Sequence, residues 1–440
     1  CASFFTNVMN QNLLNSTSRR NFIKTSAVLC GALISPLGFS SSAAPNSEKL
    51  KIGLIGCGGR GTGAASQALN ADKNVVLTAM ADILPESLSN SLNSLKKENG
   101  DKVQVAPDHS FVGLDAYQKV IGSGVDVVLL ATPPGFRPQH LKAAVEAGKH
   151  IFCEKPVATD APGIRSVLAS VEEAKKKKLA LVAGFCWRYN YAERALFQHI
   201  HAGAIGEIHA LYGTYYTGPV KPMPPASNRP AGMSDVEWQL RNWYNFGWLS
   251  GDGLVEQAVH AVDWLAWAMK DVPPLKCVAV GGRQIPAQGG NIFDHFEINY
   301  EYANDVRAFL GCRQISNCAS DNTATFLGTK GIARELGFSG MPFTKGETNW
   351  RYAGERPDMY QVEHNELFAS IRAGDPINDG VRLAHTSLMA IMGRMAAYTG
   401  QEITWEMALN SQEKLVPENL DWNAVLPVKE IARPGQTKFI

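Results

Sequence analysis

The spacing of apolar positions changes character partway along the chain. Leu50 to Ile55 is a short apolar run with β-branched residues, and it predicts a strand with a small-residue helix behind it. "NVVLTAMAD" (74–82), the apolar "VDVVLLATPP" (125–134) and "IFCEKPVA" (151–158) predict further strands. Between the last two, "PQHLKAAVEAGKH" is amphipathic at helical period and closes at Gly148. Strands alternating with helices imply a parallel sheet covered on both faces. Past residue 157 a lysine-rich helix (162–178) and the strand-like "ALVAGFCWRYN" (180–190) lead into a different regime. "GEIHALYGTYYTG" (206–218), "LKCVAVGGRQ", "HFEINYEYAN", "VRAFLGCRQI" and "ATFLGTKGIAREL" all alternate with strand period. They predict a large, mostly antiparallel sheet, one face over a site and one available to a second copy of the chain. Residues 360–409 supply helices that pack the two parts together.

One helix breaks the rule that apolar helices are simply buried. "GDGLVEQAVHAVDWLAWAM" (251–269) is almost wholly apolar, with Asp252 as its cap, yet Glu256, His260 and Asp263 occur in it at spacings of four and three. Those spacings place all three on one helical face. Just before it, "WQLRNWYNFGWLSGDG" (238–253) combines Trp, Tyr, Asn and Arg, the residue types that bind sugars by flat apolar faces and bidentate polar groups, although plain packing uses them too. A zinc reading of the Glu-His-Asp row lacks a companion pair of histidines, so no metal is expected.

Length and composition narrow the class. At 440 residues the chain exceeds one ordinary core, and two domains are expected. A net charge of +1, with "KKKK" at 175–178 reading as a solvated helix end, argues against nucleic-acid binding. At the N-terminus, Arg19-Arg20, a short apolar stretch broken by Pro36, and small residues around Ala43-Ala44 resemble a twin-arginine export signal rather than a membrane span. Periplasmic or exported location is therefore expected, with lipid anchoring through Cys30 the alternative. The six cysteines beyond the leader form no CxxC pair, so buried free thiols are expected rather than a disulfide framework.

The first strand ends in Gly56-x-Gly58-x-x-Gly61 and a helix comes next, which is the dinucleotide fingerprint in its required context. Its glycines permit a tight turn and bring backbone N–H groups, with the helix N-terminus, against a pyrophosphate. Asp82, ending the second strand, stands where an acid would accept hydrogen bonds from the adenine ribose; it favours NAD, while Arg60 in the turn keeps NADP open. The expected fold is therefore α/β plus α+β. An N-terminal Rossmann doubly wound parallel sheet (49–156) comes after the leader and linker (1–48). A substrate and oligomerisation domain on the large sheet (157–409) and a C-terminal extension (410–440) complete it.

"ATPP…H…A…AGKHIFCEKP", with Ala147–His150 followed by Glu154-Lys155-Pro156, resembles the Gfo/Idh/MocA family of oxidoreductases. "EHNELFASIRAGDPINDG…GRMAAYTGQEITW" is also similar, and the likeness runs over most of 49–410. The resemblance implies that Gly56, Gly58, Gly59, Arg60, Gly61, Asp82, Thr132, Pro133, His140, Glu154, Lys155, Trp187 and Arg188 line the cofactor. It further implies that Lys155 stabilises a developing alkoxide and relays a proton. His260 is then the general base, and Glu256 a substrate-orienting or relay group standing where the family usually has Asp. Tyr189, Asn190, Arg241 and Trp243 are the substrate candidates, with Asp263, which could hold the imidazole in one tautomer.

The implied activity is hydride transfer between a sugar or glycoside carbinol and tightly bound NAD or NADP. The alternative is redox-neutral glycoside cleavage, with transient C3 oxidation, elimination, hydration and re-reduction. The NAD-dependent α-N-acetylgalactosaminidases, which resemble this family, work that way. Against it, those enzymes carry a Glu-Val-Pro-like element where this chain has Glu154-Lys155-Pro156. A non-catalytic sensor would need a degraded catalytic set, and Lys155 with His260 argue against one.

Overall fold

The computed structural model describes residues 48–285 and 289–440. The export-signal reading, with Arg19, Arg20 and Cys30, lies outside these residues.

Six parallel strands form the first sheet. They are β1 (Leu50–Ile55), β2 (Val75–Asp82), β3 (Ser110–Val112), β4 (Val127–Leu130), β5 (His150–Cys153) and β6 (Leu181–Ala183), in spatial order β3-β2-β1-β4-β5-β6. The apolar runs behave as predicted: β4 and β6 are buried along their whole length, because helices cover both faces. Strand order reverses between β1 and β4, so a crevice opens beyond their C-terminal ends, where ligands of such sheets bind. The predicted domain boundary at 156 needs correction. The helix Ala161–Lys176, capped by Asp160 through Gly163 N (2.9 Å), is a crossover that returns the chain to pair β6 with β5. The first sheet thus continues to 183, and 180–190 belongs partly to it.

The second sheet has nine strands in the order β14-β13-β12-β11-β7-β10-β9-β8-β15. In chain order these are β7 (Ile208–Thr217), β8 (Lys276–Gly282), β9 (His295–Glu301), β10 (Arg307–Gln314), β11 (Ala324–Gly328), β12 (Gly331–Glu335), β13 (Phe343–Gly346), β14 (Trp350–Arg351) and β15 (Ile403–Thr404). Only β7 and β10 pair in parallel; the other neighbours are antiparallel, as the alternating pattern implies. The helices Val259–Ala268 and Gly380–Thr399 pack on its inner face.

Residues 411–440 carry no helix or strand, yet they are not loose. Leu415, Leu420, Trp422 and Leu426 pack against Val236, Leu240, Phe246 and Trp248. Leu415 N donates to Asp160 Oδ2 (2.9 Å) and Leu426 N to Asp235 Oδ2 (3.0 Å). This strap braces the helix Asp235–Arg241 and the aromatic segment after it, which wall one side of the crevice. No described helix is long and apolar enough to cross a membrane.

The Glu-His-Asp helix is not a uniform α-helix. Leu254–Ala258 is a π-turn, and α-helical geometry begins at Val259. A π-turn takes about one extra residue per turn, which rotates the residues beyond it by roughly 100° relative to an unbroken α-helix. Asp263 therefore leaves the face that carries Glu256.

Candidate active site

A cleft of about 560 Å³ runs from the glycine turn to the helix bearing His260. At its start, Gly56 has φ +98°, and a Cβ there would lie 2.7 Å from the Ala131 carbonyl carbon. A Cβ on Gly61 would meet Gly56 O at 1.9 Å. Gly56 is pressed against the backbone leaving β4, and Gly61 in the helix against Gly56 itself, so neither has room for a side chain. Gly58 and Gly59 face open space, and the helix Gly59–Ala71 has no side-chain cap, so its first-turn N–H groups point at the cleft unspent. This cradle fits a pyrophosphate. Asp82 closes the adenosine end. Its Oδ2 accepts from Cys57 N (2.6 Å) and its Oδ1 from Leu84 N (2.9 Å), while burial outweighs these bonds and raises its pKa.

Arg60 is turned inward rather than toward the ribose side. It pairs with Glu154 (Nε–Oε1 2.8 Å), donates to Gln67 Oε1 (2.5 Å) and lies 4.8 Å from the Tyr360 ring centre. Thr132 and Pro133 line the cleft at the end of β4, and Thr132 Oγ1 is 3.2 Å from His140 Nδ1. His140 stacks on Tyr117 at 4.2 Å; burial, and then Arg137, push its pKa down to about 3, so it is a neutral wall.

The Glu154-Lys155-Pro156 element enters the cleft after β5, with the Lys155–Pro156 bond cis. Lys155 Nζ donates to Glu256 O (2.6 Å) and Glu256 Oε1 (3.3 Å), both side chains being largely buried. Glu256 Oε2 accepts from Gln257 Nε2 (2.6 Å), and Gln257 Oε1 from Tyr215 OH (2.8 Å). His260, one turn on, stacks on Trp187 (5.4 Å) and meets the edge of Phe185. Its Nδ1 is buried without a protein partner. Burial first, and then the Lys155 ammonium, hold its pKa well below the usual imidazole value. A neutral imidazole and a cation in one cleft can accept a hydroxyl proton and stabilise the oxyanion left behind.

Trp187, Arg241 and Trp243 line this cleft. Arg241 is anchored by Glu237 (2.8 Å) and Glu86. Four other expectations fail. Asp263 does not approach His260 but forms a bidentate pair with Arg188, Oδ2–Nε and Oδ1–Nη2 both 2.8 Å, and accepts from Thr386 Oγ1 (3.2 Å). Arg188 also binds Asp271 and faces the Trp267 ring at 4.7 Å, and it does not line the cleft. Tyr189 OH donates to Asp379 Oδ2 (2.8 Å), and Asn190 caps the helix Tyr191–His201 through Ala192 N (3.0 Å). Asp263 lies past the π-turn, and the 3₁₀ turn Cys186–Tyr189 after β6 carries the other three into internal contacts.

Sequence reasoning missed Tyr215, Gln257 and Arg137. Arg137 is buried and its Nη1 donates to Pro156 O (2.5 Å), fixing the lysine's segment from below. A lone arginine before Pro138 gives no signal of that. Among the described residues, no cluster of three or more His, Cys, Asp or Glu is placed to hold a metal ion.

Comparison with known proteins agrees with this geometry. Residues 50–184 match the pattern described as "Oxidoreductase family, NAD-binding Rossmann fold", and 194–334 match the "GFO/IDH/MocA C-terminal domain". The chain belongs to the Gfo/Idh/MocA family and is an NAD-binding oxidoreductase. It is 25% identical over 376 residues to inositol 2-dehydrogenase of Serratia proteamaculans, covering 79% of this chain and 94% of that one. The inositol 2-dehydrogenase of Acidothermus cellulolyticus is also 25% identical, over 260 residues, 59% of this chain and 64% of that one. In fold it is similar to levoglucosan dehydrogenase solved with NADH and levoglucosan, with TM-score 0.65, 20% identity, and coverage of 81% and 99%. The aldose-aldose oxidoreductase of Caulobacter crescentus aligns with TM-score 0.63, 16% identity, and coverage of 81% and 100%.

Proposed function

We propose that the chain oxidises, or in reverse forms, a secondary alcohol of a sugar or polyol. The observation that carries this reading is one cleft lined by a dinucleotide cradle, Lys155, Glu256 and His260. Bound NAD would accept or return the hydride. Gly58, Gly59 and the helix behind them would hold its pyrophosphate, and Asp82 its adenine ribose. Lys155 would bind the substrate oxygen and stabilise it as its proton leaves; His260, neutral at rest, would take that proton. Glu256 keeps the ammonium in place and, being longer than an aspartate, reaches it from the π-turn. Incubating the purified protein with NAD and a panel of cyclic polyols, with absorbance read at 340 nm, tests the reading. Glycoside cleavage without net NADH would instead support the redox-neutral alternative.

NAD rather than NADP is the expected cofactor, because Asp82 repels a 2′-phosphate and Arg60 is held by Glu154, Gln67 and Tyr360. Asp82→Ala should weaken NAD about tenfold, the loss of one charged hydrogen bond, and leave NADP unchanged or tighter. Titration of both nucleotides checks it.

Tyr212, Val278, Val280 and Leu327 are exposed on the second sheet, which supports a second copy covering that surface. Val280→Glu should lower the sedimenting mass if it does. Arg19-Arg20 and the apolar stretch after them support export, which cell fractionation tests.

A further inference from the structure

We propose that Phe338 is the stacking platform for the apolar face of a cyclic substrate, and so selects rings over open-chain polyols. This rests on the sugar or polyol reading above. Phe338 lies in the turn between β12 and β13 and is 75% exposed, the most exposed phenylalanine among the described large apolar residues. A solvent-facing Phe is ordinary by itself, but this one lines the cleft. Its ring packs edge-on against Trp187 (centroids 5.9 Å, 76°), and Trp187 stacks on His260. One ring therefore separates the exposed phenyl from the proposed base.

The placement is braced on both sides. Glu335, 1% exposed, accepts from Leu336 N (2.9 Å) and Gly337 N (2.8 Å), gripping the turn that carries Phe338. Gly337 has φ +53°, and a Cβ there would lie 2.4 Å from Asn322 O, so the turn sits tight on its neighbour. On the other side Trp187 stacks on Trp264 at 3.9 Å, and Trp264 Nε1 donates to buried Glu193 (2.6 Å). An apolar side chain held this firmly in water loses free energy unless something covers it. A pyranose or cyclitol presents several C–H bonds on one flat face that can cover a phenyl ring while its hydroxyls reach polar groups. An acyclic polyol has no such face and must freeze its rotors to imitate one.

The test is saturation-transfer NMR with NAD present, using methyl β-glucopyranoside, myo-inositol and acyclic sorbitol as probes, alongside kinetics. Wild type should saturate the ring protons of one face of a cyclic probe and leave sorbitol weak. Phe338→Ala should lose that signal and raise KM for the cyclic probe about tenfold, with kcat changed less than threefold and NAD affinity unchanged. Phe338→Tyr should restore it. Unchanged cyclic binding in Phe338→Ala, equal losses for cyclic and acyclic probes, or no saturation of any cyclic probe overturns the platform. Ring binding that depends on Phe338 but never leads to turnover keeps the platform and sinks the proposed sugar or polyol oxidation. Turnover indifferent to Phe338 does the reverse.

Discussion

His260→Ala and Lys155→Ala each lower kcat/KM for alcohol oxidation by about 10²–10⁴-fold, the range for removing a positioned acid–base group, while NAD still binds. The two losses differ in kind. His260→Ala removes the proton acceptor, so a small exogenous base such as imidazole should restore part of the rate. Lys155→Ala also strands Glu256, which is 6% exposed and loses its cation, so this variant should be less stable as well as slow. Measuring at low temperature separates the two effects. The pH profile adds a further check. Because the His260 pKa is held down, the base stays deprotonated from neutrality down through the ordinary imidazole range. The oxidation rate should stay flat across that range and fall only below it. A fall centred at the ordinary imidazole value, or near-normal rates in either variant, would remove that residue from the mechanism.

Asp263→Ala should cost about 3 kcal/mol of stability, the low end of the penalty for breaking a buried ion pair, because Arg188 keeps its contact with Asp271. It should nonetheless leave kcat within a few-fold where the protein remains folded. Arg188 and Asp263 are each 3% exposed in their side chains, and the guanidinium cannot shed its charge. Exchanging both for apolar residues, Arg188→Met with Asp263→Leu, should recover much of the loss, since the buried pair is removed together and Asp271, half-exposed, remains solvated. Urea unfolding of the two singles and the double gives the coupling directly. If Asp263 instead held the imidazole, Asp263→Ala would cut kcat by orders of magnitude at full folding and shift the pH profile.

The contrast between Asp263 and His260 shows where sequence reasoning reaches its limit. Both sit in one apolar helix at helical spacing, and spacing alone assigns them one face. Yet both lie past the π-turn, in the α-helix Val259–Ala268, and what separates them is their partners: Arg188 from the turn after β6 claims Asp263, while His260 stacks on Trp187. Arg188 misled similarly: it comes directly after Trp187, which does line the cleft, yet adjacent side chains in a 3₁₀ turn point apart. Motifs of backbone character were far more legible. Gly56 and Gly61 are demanded by contact between chain segments, so their spacing carries the geometry with it.

The sequence by itself determined the strand-and-helix order, the parallel first sheet, the dinucleotide turn with Asp82 at its distance, and the candidates Lys155 and His260. These are local matters of periodicity, steric allowance and residue chemistry, which a linear string records. Tertiary structure alone decided that β6 completes the first sheet, that Glu256 grips Lys155 across 101 residues of chain, and that Arg60 turns to Glu154. It also decided that the strap of 411–440 braces the cleft wall and that Phe338 stands one ring from His260. Each depends on where remote segments meet, and that is set by how two sheets and their helices share space, not by any neighbour in sequence.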